Sequence, residues 1–239
     1  MMYFNIAKFM KNNILNSGLC LALGMAASFS LSSCEDWTEV ESLDIHTPSL
    51  EEQNPQLYED YLKDLNAFKA SDHHVLFVSF SNVANPVKQG ERLTALPDSV
   101  DYISLNNPSE IGAGLLEEMN EVRRKGTKIG YTFSYAQFEA EWDLMLEANP
   151  ELTETERQEY FTKRTEEMLS LVDKYNYDGV IVDYVGRSLV SLKDEPLRTY
   201  IARQKGFFDI ISTWKSRHTD KFLVFYGNAQ YIAPDNMGF

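Results

Sequence analysis

The chain has 239 residues, a formal net charge of −14 and two cysteines. That acidity argues against nucleic acid as a partner and against charge-driven binding to anionic lipid, and the length suits one domain with a sizeable core. Aromatic residues make up 13% of the chain, with 13 tyrosines and 14 phenylalanines, enough to pack a core and still leave rings for the wall of a cleft.

The N-terminus reads as a targeting segment covering residues 1–33. Lys8 and Lys11 precede an apolar stretch from Ile14 to Phe29, short and interrupted for a membrane span, and small residues lead on to Cys34. Leu31-Ser32-Ser33-Cys34 resembles a bacterial lipobox, which implies cleavage before Cys34 and acylation of that residue. Glu35 and Asp36 resemble the acidic surface-export signal of Bacteroidota lipoproteins. The alternative is an ordinary secretory signal followed by a chance cysteine. Cys20 falls in the removed peptide, so the mature domain has no disulfide, thiol catalysis or cysteine metal site to offer. Removing residues 1–33 takes two lysines and no acid, moving the charge from −14 to −16, so attachment would rest on acyl chains. The expected location is the outer membrane or cell surface, lipid-anchored at Cys34.

Residues 34–56 are acidic, carry Pro48 and Pro55 and show no sustained period, which predicts a tether ahead of a domain spanning 57–239. Leu57, Tyr61, Leu62, Leu65 and Phe68 predict a helix over 57–70. Compact apolar runs then predict strands at Val75–Phe80, Tyr102–Leu105 and Lys128–Phe133, with a helix from Pro108 to Lys125 between the second and third, stopped by Gly126. Tyr135 to Pro150 is rich in acids and aromatics. Thr153 fits an N-cap with Glu156 completing a capping box, opening a helix to about Tyr175. A strand at Val180–Tyr184, a helix at about Glu195–Arg217 and a strand at Phe222–Tyr226 complete the series.

Strict alternation of strands and helices predicts parallel βα units, which close either as an open doubly wound sheet or as a (β/α)8 barrel. Ser79-Phe80-Ser81-Asn82 follows the first strand where a nucleotide site would need a glycine-rich loop, so no nucleotide cofactor is expected. The run Tyr177-Asp178-Gly179-Val180-Ile181-Val182-Asp183-Tyr184-Val185 resembles the D-G-x-D-x-D-x-E strand of glycoside hydrolase family 18, the chitinases and endo-β-N-acetylglucosaminidases. Asp178, Gly179 and Asp183 match, whereas Ile181 and Val185 stand where the family has Asp and the catalytic Glu. The resemblance implies a barrel in which this strand is the fourth, and it is also fourth counting from Val75. A complete barrel takes ~250 residues. With about five βα units present, the expected fold is an α/β, TIM-barrel type that is C-terminally incomplete, the sequence being either a fragment of a longer protein, which is preferred, or a truncated product with open strand edges.

The resemblance also implies substrate-assisted chemistry: the N-acetyl group of the substrate attacks the anomeric carbon, a Glu protonates the leaving oxygen, and an Asp two residues earlier orients the acetamide. Asp183 occupies the orienting position. Val185 can neither give nor take a proton, and loss of general acid catalysis costs ~10²–10⁴-fold. Glu195 and Glu141 are the candidates for a displaced acid; the plain alternative is that Asp-Gly is a turn and Asp183 a strand-end cap. At the ends of the other strands, Ser81 and Asn82, Asn106 and Asn107, Ser134 and Tyr135, then Tyr226, Asn228 and Gln230 offer amides, hydroxyls and rings suited to a neutral sugar. Of these, Asn82, Asn107, Tyr135, Tyr226 and Asn228 join Asp183 as the expected substrate-binding set. His73 and His74 precede the first strand and are expected to be solvent-exposed; His46 and His218 are isolated, and no metal-ligand spacing appears. The leading expectation is a surface lipoprotein binding N-acetylglucosamine-containing glycans with catalysis lost or reduced. The alternatives are an active endo-β-N-acetylglucosaminidase and a structural component of a glycan-uptake complex that holds no sugar.

Overall fold

The computed structural model describes residues 48–236 and Gly238. The targeting segment, Cys34 and the tether up to residue 47 lie outside the described residues. Within the rest of the expected tether, Leu50–Gln53 form one helical turn. Helix α1 (Pro55–Ala70) begins at Pro55, ahead of the apolar spacing, because proline suits the first helical turn and the Asn54 side chain accepts a hydrogen bond from Leu57 N at 3.1 Å.

Five strands follow: β1 (Phe77–Phe80), β2 (Tyr102–Leu105), β3 (Lys128–Ser134), β4 (Gly179–Tyr184) and β5 (Phe222–Gly227). Two short helical turns connect β1 to β2. Helix α2 (Ala113–Arg124) lies between β2 and β3, α3 (Tyr135–Ala148) and α4 (Glu154–Lys174) between β3 and β4, and α5 (Asp194–Arg217) between β4 and β5. All four strand pairings are parallel and the spatial order is β1-β2-β3-β4-β5. A doubly wound sheet reverses its order partway. Sequential order with right-handed crossovers instead places the connecting helices on one face, which is the construction of a TIM-type barrel, here with five of its strands.

The curl of the sheet is visible in side chains. Tyr102 of β2 and Phe222 of β5 have two strands between them, yet their rings meet edge to face at 5.2 Å across the concave side. Glycines make the passage between them: a Cβ on Gly130 would lie 2.5 Å from the Phe222 ring, and one on Gly179 would lie 2.2 Å from Phe222 O. With Phe77 stacked on Tyr102 at 5.9 Å, these rings floor the lumen at its N-terminal end. On the convex side, Ile103, Ile129, Tyr131, Val180, Val182 and Tyr184 are buried beneath the helices with Leu115, Met119, Phe207 and Phe208. Each such side chain taken wholly from water contributes roughly 1.5–3 kcal/mol.

The strand and helix bounds follow the sequence closely except at Val75 and Pro108, and the burial of His73 also departs from expectation. Val75 is 59% exposed and outside β1, because Leu76 spends its backbone on Asp101: its N–H donates to the Asp101 carboxylate at 2.7 Å and its carbonyl accepts from Asp101 N at 3.0 Å. The helix expected from Pro108 starts at Ala113; Pro108 and Ser109 remain in a loop whose carbonyls accept from the Tyr177 and Tyr175 hydroxyls. The aromatic and acidic stretch after β3 is the helix α3. His73 is not solvent-exposed: its side chain is 11% exposed, with Nε2 3.0 Å from Asp101 Oδ1 and Nδ1 2.8 Å from Ser71 O. The capping box at Thr153 and Glu156 forms as expected, Thr153 N donating to Glu156 at 2.8 Å and Glu156 N to Thr153 Oγ1 at 3.3 Å.

Candidate functional site

Strand alternation aims Asp183 into the lumen. Val180, Val182 and Tyr184 of β4 are buried beneath the helices, so Ile181 and Asp183 occupy the concave face, and Val185 follows just past the strand's end. The register sets Ser134 of β3 and Tyr226 of β5 directly beside Asp183. Tyr226 is 67% exposed, its ring open to a ligand. Asp183 is half-buried, but its Oδ1 is fully enclosed and has no hydrogen-bond partner; among the described residues only Trp214 Nε1 shares that condition. An unpaired buried polar atom costs roughly 1–3 kcal/mol, more when charged. An oxygen held this way is an acceptor waiting for a donor.

The neighbouring lumen surface is hydroxyl and amide. Ser79 Oγ donates to Asn106 Oδ1 at 2.7 Å, Asn106 Nδ2 donates to Ser81 Oγ at 3.0 Å, and Ser104 and Thr132 share a hydrogen bond of 2.9 Å. At the strand ends the two loops beside Asp183 are tied together. Asn228 N donates to Tyr184 O at 3.2 Å and its side-chain amide to Val185 O at 2.9 Å. Gly227, with φ of +140°, lets β5 pass so close to Tyr184 that a Cβ would stand 2.1 Å from Tyr184 O.

The family model for glycoside hydrolase family 18, BT1044-like, matches residues 38–239. The chain belongs to this family. Among solved structures it is similar to a glutamate-to-glutamine variant of BT1044, 16% identical, over 79% of this chain and 61% of that one, with a TM-score of 0.53. It is also similar to the endo-β-N-acetylglucosaminidase of Cordyceps militaris in apo form, 18% identical, over 71% of this chain and 54% of that one, with a TM-score of 0.45. A mutant of the Cordyceps enzyme in complex with fucosyl-N-acetylglucosamine-Asn is 17% identical over 70% of this chain and 54% of its own, with a TM-score of 0.44. The chain thus spans between half and two thirds of the length of these structures. No curated protein matches it.

Against the family 18 strand pattern, the start of β4 is structural. Asp178 Oδ2 accepts from Arg123 Nε at 2.9 Å and from Ile129 N at 2.8 Å, and Gly179 admits Phe222. Asp183 stands where the strand pattern is expected to have its acetamide-orienting residue. Val185, in the place of the family's glutamate, is 46% exposed and carries no proton to give. Neither candidate for a displaced acid reaches the lumen. Glu141 on α3 turns to α4, accepting from Tyr160 Oη at 2.5 Å and Arg164 Nε at 3.1 Å. Burial pushes its carboxyl up, but the hydrogen bonds from Tyr160, Arg164 and Gln137 outweigh that and hold it below the usual carboxylate range. Glu195 lies in the exposed first turn of α5, paired with Arg198 at 2.6 Å.

Of the other expected residues, the strand ends bring Tyr226, Asn228, Ser134 and Asp183 together, but not Tyr135. The Tyr135 ring is buried on the convex side between Phe161, Tyr184 and Phe207, and its hydroxyl accepts from Arg157 at 3.4 Å. Asn82 is also buried, its amide donating to Asn107 O at 2.9 Å and Glu110 O at 3.3 Å, while Asn107 Nδ2 donates back to Asn82 O at 2.8 Å. That pair staples two loops and leaves Asn106, Ser79 and Ser81 as the lumen groups of β1 and β2. Gln230 is exposed beside Asn228, at 3.4 Å. Two features carry no mark in the sequence: Glu139, whose carboxyl burial pushes up beside Arg157 at 3.6 Å on the helix side, and Gln204, a helical glutamine with no local motif around it. Among the described residues no cluster suits a metal ion, and no helix is long and apolar enough to cross a membrane.

Proposed function

We propose that this family 18 domain binds N-acetylglucosamine-containing glycans in its lumen without hydrolysing them, as a surface protein held by a lipid on Cys34. One observation supports the reading: Asp183, where the strand pattern is expected to have its acetamide-orienting carboxylate, has a buried unpartnered oxygen, and Val185 stands two residues on, where the pattern has its proton donor. A glycosidic oxygen is too poor a leaving group to depart unprotonated, so an acetamide can be gripped at Asp183 while the bond beyond it survives. The hydroxyl and amide lining of β1, β2 and β3 and the exposed Tyr226 ring suit a neutral sugar, amides for its hydroxyls and a ring for its apolar face. Calorimetric titration of the chain with chitotetraose and with an N-glycan core, alongside a product assay on the same mixtures, tests it. Binding without released sugar is the expected result; turnover at rates ordinary for a glycosidase, or no affinity for either glycan, would sink the reading.

A further inference from the structure

Behind Asp183, on the convex face of β4, runs a chain of buried polar groups that sugar binding does not use. Gln204 of α5 is fully buried and its side chain makes four hydrogen bonds. Its Nε2 donates to Tyr184 Oη at 2.9 Å and to Tyr231 O at 3.0 Å, and its Oε1 accepts from Ala233 N at 2.6 Å and from Asn236 Nδ2 at 3.1 Å. That exhausts the amide. Tyr184 carries the chain onward, its hydroxyl donating to Tyr200 Oη at 2.9 Å, and Tyr200 Oη also accepts from Arg187 N at 3.0 Å. Burial pushes the Tyr184 hydroxyl well above the ordinary tyrosine range, so it keeps the proton it donates.

One end of this relay is fastened to the loop after β5 and the other to the loop after β4. Its middle member belongs to the strand that carries Asp183. The backbone is shaped to it: Gly186 has φ of +61°, and a Cβ there would stand 2.7 Å from the Tyr184 ring, 2.9 Å from Tyr200 Oη and 3.3 Å from Tyr231. On the lumen side the Asn228 to Val185 hydrogen bond joins the same two loops. We propose that Gln204 is a positioning residue that couples residues 185–188 to residues 228–236, so that the two walls flanking Asp183 order and disorder as one unit. The groups are desolvated, so breaking one hydrogen bond strands its neighbours, and the relay holds or fails together. The consequence for ligand affinity rests on the glycan-binding reading; the coupling itself does not.

Hydrogen exchange on the full chain decides the coupling. Gln204→Leu, which removes four buried hydrogen bonds, and Tyr184→Phe, which removes two, should each speed amide exchange at least about tenfold in both segments, while β2 and α2 stay protected. Should a variant fail to fold, the unsubstituted chain in low denaturant still answers: both segments should open with one free energy and one denaturant dependence. Response in a single segment, or two separate openings, would overturn the proposal. In the same variants the dissociation constant for chitotetraose should rise about tenfold while the far-UV spectrum still shows a folded chain. An unsubstituted chain that binds no chitotetraose removes the glycan-binding reading, and the exchange rates alone then decide the role of Gln204.

Discussion

Asp183 lies one residue before the end of β4 and Val185 one residue past it, the first ending in a carboxylate oxygen that no protein group pairs and the second in an isopropyl group. On the proposed reading the first would hold an acetamide N–H, and the second has no proton to give. Asp183→Asn keeps the shape and removes the charge. Affinity for chitotetraose should fall by roughly 10- to 100-fold, the range for a hydrogen bond to a charged group, while thermal stability holds because Oδ1 has no protein partner to lose. Calorimetry and a melting curve check both halves, and undiminished affinity would place the sugar elsewhere.

Val185→Glu restores the family's residue type where the side chain is 46% exposed, so little strain is expected. Hydrolysis of a chromogenic chitobioside should become detectable. It should fall short of the full ~10²–10⁴-fold benefit of general acid catalysis, because Ile181 leaves no second carboxylate to tune the new one. Adding Ile181→Asp should raise the rate further. A rate in the double variant no higher than that of the unsubstituted chain would rule out the assigned position.

His73 has an acceptor at each ring nitrogen, Ser71 O and Asp101 Oδ1, which requires both nitrogens to carry protons. The Ser71 carbonyl and the Asp101 carboxylate accordingly raise its pKa above the ordinary imidazole value. A raised folded-state pKa contributes stability that is complete below the unfolded value of about 6.5 and is lost as pH rises through the folded value. Asp101 is the opposite case: burial raises its carboxyl pKa, but the hydrogen bonds from Leu76 N and His73 prevail and lower it, so its contribution fades only in acid. The melting temperature of the unsubstituted chain relative to His73→Gln should therefore be greatest in mildly acidic buffer and shrink toward alkaline pH. A difference independent of pH would contradict the cationic assignment.

Gly227→Ala should destabilise the chain by roughly 1–3 kcal/mol, since φ of +140° strains any Cβ and backbone atoms of Tyr184 stand in its way. Gly90→Ala is the control: its Cβ would meet nothing within 4 Å, so the change should be neutral or mildly stabilising. Urea unfolding of the two variants compares them directly.

The order of elements was legible because burial on the convex face forces apolar runs on β2, β3 and β4, and turn chemistry at Gly126 and the Thr153 cap marks the helix ends. What misled was local chemistry spent on distant partners. Val75 continues an apolar run, but Leu76 ahead of the strand is occupied by Asp101; Pro108 resembles a helix start, but its carbonyl serves Tyr177. Within the site, alternation alone placed Asp183. It could not tell that Tyr135, the residue after β3, swings to the convex side as the first residue of α3, or that Asn82 would close on Asn107 rather than on a ligand. Gln204 was invisible because its four partners are distributed over β4 and the loop after β5, and nothing in a helical period announces a satisfied amide.

The contact of Tyr102 with Phe222 across Gly130 and Gly179 has a temporal side as well. The two rings are separated by most of the domain's sequence, so the hollow above the glycines stays unfilled during synthesis until β5 leaves the ribosome. Contacts of such long range form late and slowly. A nascent chain stopped short of Phe222 would leave Gly130 and Gly179 uncovered at the base of β3 and β4.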